Sequence, residues 1–227
     1  MLGPPDFEGG LVPEQRVYRK DGLEFARAVT FFDAIFAFAV TLLITTVDNF
    51  DPDAWSSPSA MWSANGSSLT AFAISFVVVV SFWRASHGAL AGLAALNPRI
   101  ITLNCLVMFG VVLIPFATEA LGKLDLPLPV AVYAAVIAGT SLAHRYMEDQ
   151  AYQAGLGTQM PTATRRRWTW IQGAMLPAVF LGSIPIAYLI APNVAELSWL
   201  SLLVLMPVVE RIRRRSDPEP EAAERHP

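Results

Sequence analysis

TFFDAIFAFAVTLLITTV, residues 30–47, contains a single ionisable group, Asp33. Eighteen residues in a helix would rise roughly 27 Å, close to the thickness of a hydrocarbon core. A carboxylate at that depth is expensive unless it faces the interior of a helix bundle and finds a partner. The stretch therefore poses two questions: whether the chain lies in a membrane, and what receives Asp33.

The rest of the sequence answers the first. Of 227 residues, 54% are hydrophobic and 15% charged, with a mean hydropathy of +0.44. Soluble domains carry about 25% charged residues. Six apolar stretches are long enough to span or nearly so: about 25–47, 69–90, 99–121, 127–146, 168–190 and 194–211. The sixth is the weakest, because its apolar part from Leu197 to Val209 is short and contains Pro207. An all-α membrane protein with six transmembrane helices is predicted over residues 25–211. Residues 1–24 read as a cytoplasmic N-terminal segment without the features of a signal peptide, so the first span is expected to remain. Residues 212–227, ending SDPEPEAAERHP, have almost nothing to bury and read as a disordered cytoplasmic tail.

Charge sets the orientation. Of the 16 Lys and Arg residues, all but Lys123 fall on one side of the six spans. The positive-inside rule makes that side cytoplasmic, with both termini inside. The clusters 165–167 and 211–215 sit immediately beside spans and read as topology signals, so no nucleic-acid partner is implied. The lone Cys105 excludes an intramolecular disulfide, and no metal site is expected. Enzyme signatures are absent: there is no G-x-S-x-G, no glycine-rich phosphate loop and no His/Cys/Glu cluster at metal spacing.

Asp33 lies about 12 Å into the first span. Counting from the same membrane face places Trp83 and His87 of the second span, and Asn104 of the third, at similar depth. Trp83 and Asn104 can donate hydrogen bonds, while Arg27 and His87 can offer charge. Two roles remain open on spacing: a titrating acid on an ion or proton route, and a polar knot between helices. A second pattern lies on another face of the first helix. Phe38, Leu42, Thr45 and Asn49 form a stripe at 100° per residue, flanked by Thr41 and Asp48. It grows more polar outward and continues into a loop with Asp51 and Asp53. A water-filled path would need such a gradient, with a hydrophobic constriction, then hydroxyls, then a cation-attracting mouth. Ordinary helix packing accommodates the same residues.

Three segments together resemble the transmembrane protein 175 family of endosomal/lysosomal potassium channels and their prokaryotic relatives. RAVTFFDAIFAFAVTLL (Arg27 to Leu43) is similar to the family's first-helix pattern, an Arg followed four residues on by Phe-Ser-Asp and then an apolar run ending Thr-Leu-Leu. FVVVVSFWRASH (Phe76 to His87) resembles its W-x-x-x-H segment. LNCLVMFGVVLIPF (Leu103 to Phe116), after LNP (Leu96 to Pro98), resembles its third helix. The last three spans match only in number and hydrophobicity. The resemblance implies a passive, potassium-permeable channel of the prokaryotic plasma membrane, with one six-helix repeat per chain, assembled as a homotetramer. It implies no cofactor and no TVGYG filter; the permeant ion is K⁺ or another monovalent cation.

The family lines its pore with first helices, which implies a constriction at Phe38 and Leu42, a lining of Thr41, Thr45 and Asn49, and an outer mouth of Asp48, Asp51 and Asp53. Arg27, Asp33, Trp83 and His87 map onto the family's polar network, beside which depth places Asn104; Asp33 then reads as structural. The chain departs from the pattern twice. Phe38 stands where the family usually has Ile, and Phe32 where it has Ser. The rival reading is a proton- or cation-coupled secondary transporter in which Asp33 titrates. Such a carrier would favour an internal repeat, and residues 25–121 show no convincing similarity to 127–211.

Overall fold

The structure is a computed structural model and describes residues 17–48, 50–159 and 162–216. Asn49, most of the expected N-terminal segment and the end of the expected tail lie outside the described residues.

Proline and small polar caps start the helices. Helix α1 (Leu23–Leu43) runs into a 3₁₀ turn at Ile44–Thr46. Helix α2 (Pro58–Ala91) opens with Pro58 in its first turn, and the Ser57 hydroxyl accepts a hydrogen bond from the Ala60 amide at 3.1 Å. Helix α3 (Pro98–Lys123) starts the same way, with Asn97 Oδ1 accepting from the Ile100 amide at 2.9 Å. Pro127 begins α4 (Pro127–Gln153), and Pro192 begins α6 (Pro192–Ser198). In each case the missing proline N–H removes a donor that a helix start would leave orphaned; at α2 and α3 the side-chain cap satisfies another. Helix α5 (Ala163–Leu189) contains Pro177 and Pro185. The last span is built in pieces: α6, a 3₁₀ turn at Trp199–Ser201, and α7 (Leu202–Ser216), which contains Pro207. Among the described residues, six segments are long and apolar enough to cross a membrane.

Helix bounds exceed the apolar stretches where the extension is polar. The α2 helix has 34 residues, about 51 Å at 1.5 Å per residue, longer than a hydrocarbon core is thick. Gly122, near the end of α3, lies directly against Ser68 of α2. Residues 58–67 therefore stand beyond the end of α3, where the 3₁₀ turn Pro52–Trp55 packs on them.

The core is one cluster running through the helices in chain order. The α3 helix packs on α1, α2 and α4; α4 packs on α5; and the last span leans on α5. Helix α1 contributes Phe25, Phe32, Phe36, Ala39 and Leu43. These recur at spacings of three, four and seven residues, the stripe of a helix with one buried side. Phe32, in the position of the family's Ser, is thus a core residue, 2% exposed. Deeper in the bundle, the Tyr133 hydroxyl lies 3.0 Å from Ser75 Oγ, and Thr118 Oγ1 lies 2.7 Å from both Ser75 Oγ and the Ile114 carbonyl. Thr118 donates, its single proton shared between Ser75 Oγ and the Ile114 carbonyl, while either hydroxyl of the Ser75–Tyr133 pair can donate to the other. Tyr133 also stacks on Trp199, whose indole donates to Ser183 Oγ at 2.9 Å.

Opposite the 48–57 loop, a backbone clasp ties three segments together. Strand β1 (Tyr18–Arg19) pairs antiparallel with β2 (Ala95–Leu96) in the α2–α3 turn. The Lys20 amide donates to the Ala94 carbonyl and the Ala94 amide to the Leu156 carbonyl, while Leu93 bridges Gly157 beyond α4. Gly155 provides the one positive φ among the described residues, +69°, where the chain turns out of α4.

Two glycines make opposite predictions. A Cβ at Gly122 would lie 2.8 Å from Ser68 Cα, a backbone atom that cannot swing aside, whereas one at Gly139 meets nothing within 4 Å. Gly122→Ala is expected to lower stability by about 1–3 kcal/mol. Gly139→Ala is expected to be neutral or to raise it by up to about 1 kcal/mol. Thermal unfolding of the two variants in detergent checks the contrast.

Candidate ion path and its polar anchor

Asp33 is held from the neighbouring helix. The Trp83 indole donates to Asp33 Oδ1 at 3.0 Å, and the Trp83 ring lies 5.6 Å from that of His87 one turn along α2. Three of the network residues implied by the resemblance are thus brought into one chain of contacts. Arg27 and Asn104 are not brought to it. Arg27 is exposed and engages no side chain among the described residues. Asn104 is fully buried, with neither amide atom hydrogen-bonded. Asp33 and Trp83 also flank an open groove of about 470 Å³ between α1 and α2, shared with Phe36, Ala37, Val40, Thr41 and Val80.

The stripe from Phe38 outward lies away from the core. Phe38 is 70% exposed and Leu42 47%, and Thr41 and Thr45 are exposed beside them. Each threonine hydroxyl donates to its own helix, Thr41 to the Phe38 carbonyl at 2.9 Å and Thr45 to the Leu42 carbonyl at 2.7 Å. That spends the proton inward and leaves the oxygen lone pairs free to accept from water or to face a cation.

The acidic loop carries less free charge than its composition implies. Lys123, at the end of α3, reaches Asp48 at 2.9 Å and Glu119 at 2.8 Å. The Lys123 hydrogen bond holds the Asp48 carboxyl below the ordinary carboxylate range. Asp51 caps the 3₁₀ turn by accepting from the Asp53 amide at 3.0 Å. Phe50 and Trp55 stack across this turn, with ring centroids 6.1 Å apart. Sequence reasoning missed the Lys123 pairing, although the signal was present: Lys123 is the one basic residue on the side of the spans that also holds Asp48.

Two measurements test this arrangement. Trp83→Phe removes the donor to Asp33 and should destabilise by about 1–3 kcal/mol. Asp33→Asn keeps an accepting oxygen and should cost less, and the double variant should be no worse than Trp83→Phe alone when unfolding is followed in detergent. At Asp48 the folded-state pKa is lowered, so the stabilisation from its pair is complete above the ordinary carboxylate range and is lost as pH falls through the lowered value. A carboxyl NMR titration should place Asp48 below that range in the wild type and return it to the range in Lys123→Gln.

Comparison with known proteins adds three findings. Residues 27–115 match the family model for the endosomal/lysosomal potassium channel TMEM175. A potassium channel from Streptomyces collinus is 31% identical over 103 residues, so the chain spans only 48% of that relative's length, using 44% of its own. Among solved structures, a lysosomal potassium-selective channel TMEM175 homolog from Chamaesiphon minutus aligns with a TM-score of 0.64 at 18% identity, over 82% of this chain and 97% of that one. A variant of the potassium channel MtTMEM175, solved with a nanobody–MBP fusion, aligns with a TM-score of 0.57 at 17% identity, over 91% and 99%. At these identities the two structures establish the fold. The α1 stripe, Asp33, Trp83 and His87 all fall inside the matched segment. With six helices among the described residues long and apolar enough to cross a membrane, the chain is a multi-pass membrane protein whose residues 27–115 are similar to the TMEM175 family.

Proposed function

We propose that the chain forms a homotetrameric, potassium-permeable cation channel whose path runs along four copies of α1. The observation that carries this reading is Phe38, 70% exposed at the head of a face of α1 that its own chain leaves uncovered, within the segment matched to the family. Four Phe38 side chains, with Leu42 one turn on, would form a hydrophobic constriction that controls permeation through its wetting. Thr41 and Thr45 would supply hydroxyl oxygens that partly replace the hydration shell. Asp51 and Asp53 would lie toward the outer mouth, with Asp48 partly neutralised by Lys123. Conduction is passive and needs no cofactor. Asp33, bonded to Trp83, anchors the helix and does not take part in transport.

The rival reading, coupled transport through a titrating Asp33, draws on the open groove beside that residue. The two separate in one assay. Purified protein in potassium-loaded liposomes should release K⁺ down its gradient without any proton gradient. Phe38→Ala should raise the rate on the order of tenfold, equivalent to lowering the barrier by about 1.4 kcal/mol. Asp33→Asn should leave the flux of correctly assembled protein largely intact. K⁺ movement that requires a proton gradient and vanishes in Asp33→Asn would replace the channel with a carrier.

A further inference from the structure

We propose that Arg27 lines the inner half of the ion path and sets its rectification, as a ring of four guanidinium groups at the end of α1 remote from the Thr45 mouth. The proposal rests on the channel reading above and extends it to the half of α1 that carries no constriction.

Helical geometry places Arg27 on that face. At 100° per residue, Arg27, Phe31, Ala34, Phe38, Thr41 and Thr45 fall within about 40° of a common line, and Arg27 lies about 20° from Phe38. All six are exposed along one side of α1, opposite the buried stripe of Phe25, Phe32, Phe36, Ala39 and Leu43. Asp33 points about 120° away from Arg27 and is already engaged by Trp83. Helix rise separates Arg27 from Asp33 by about 9 Å along the axis as well. Within its own chain Arg27 forms no hydrogen bond or ion pair among the described residues. Glu24, one turn nearer the helix start and about 60° round, is not paired with it.

A charge so placed acts on the permeant ion. Four fixed positive charges lower the local cation concentration at their end of the path, so cations approaching from that side carry less current than those approaching from the other. The effect must fade with salt, because the Debye length shrinks from about 10 Å at 0.1 M to about 3 Å at 1 M. A structural arginine would show no such dependence. Phe31 and Ala34, between Arg27 and Phe38, would form the apolar wall of this inner segment.

Single-channel recording in planar bilayers tests the assignment. In about 0.1 M KCl, Arg27→Gln should raise current carried from the Arg27 side by about threefold relative to current from the opposite side. Arg27→Glu should raise it further, and Arg27→Lys should behave as the wild type. In about 1 M KCl the variants should converge. Assembled Arg27→Gln channels with wild-type rectification at both salt concentrations would overturn the proposal. If substitutions at Arg27 prevent assembly, Ala34→Cys in a Cys105→Ser background provides a second test. A cationic, membrane-impermeant thiol reagent applied from the Arg27 side should reduce its current severalfold; unchanged current after complete labelling would remove that face of α1 from the path. Wild type without cation current would instead defeat the channel reading itself.

Discussion

A carboxylate in the first span has to be received, and the manner of its reception fixes the rest of α1. The Trp83 indole takes Asp33 from the side of α2. Five residues further, Phe38 has turned about 140° from Asp33. The bond to Trp83 and the burial of Phe25, Phe32, Phe36, Ala39 and Leu43 act together as a rotational lock. What α1 presents outward is therefore determined: a stripe with an arginine at one end, aromatic and aliphatic side chains in the middle and threonines at the other. An apolar residue at position 33 would leave only apolar packing to choose this rotation, and in lipid, where the surroundings are equally apolar, such packing discriminates weakly.

The two halves of the chain achieve their packing by different means. The segment matched to the family holds α1 to α2 with a charged group and an indole. Beyond it, the bundle closes on Tyr133, Phe180 and Trp199, with hydroxyls of Ser75, Thr118 and Ser183 absorbing the polar atoms that large aromatic residues bring inside. Such a cluster can be rebuilt from other side chains so long as volume and hydrogen bonding are kept. This is consistent with a solved structure of the same fold that aligns over 82% of the chain at only 18% identity.

Hydropathy made the six spans legible because lipid selects for it, and it misplaced helix ends wherever lipid stops selecting. The serine-rich start of α2 from Pro58, the polar end of α4 up to Gln153 and the arginine-bearing end of α7 are helical without being apolar. Depth counting along antiparallel helices placed Trp83 and His87 beside Asp33, since rise per residue is nearly constant. The same count placed Asn104 at that level but could not say which way it turns, and its amide is buried without a hydrogen bond. Arg27 shows the complementary limit. Its charge made it a natural partner for Asp33, yet six residues of helix carry the two onto different faces. At the outer end, composition made the loop strongly acidic, while the structure shows Asp48 already committed to Lys123 from a helix distant in sequence.

The backbone clasp has a mechanical consequence. Through β1, the start of α1 is sewn to the α2–α3 turn, and through Ala94 and Leu93 that turn is sewn to the chain leaving α4. Only three residues, 20–22, separate the end of β1 from the first residue of α1. A helix tethered so closely cannot slide like a piston or turn on its axis without tearing these bonds. Any opening of the path proposed along α1 that keeps the clasp intact must then arise in one of two ways. The whole subunit tilts as a block, or side chains such as Phe38 change rotamer on a stationary helix. The first is a slow collective motion and the second a fast local one, so the clasp divides the protein's movements into two separated time regimes.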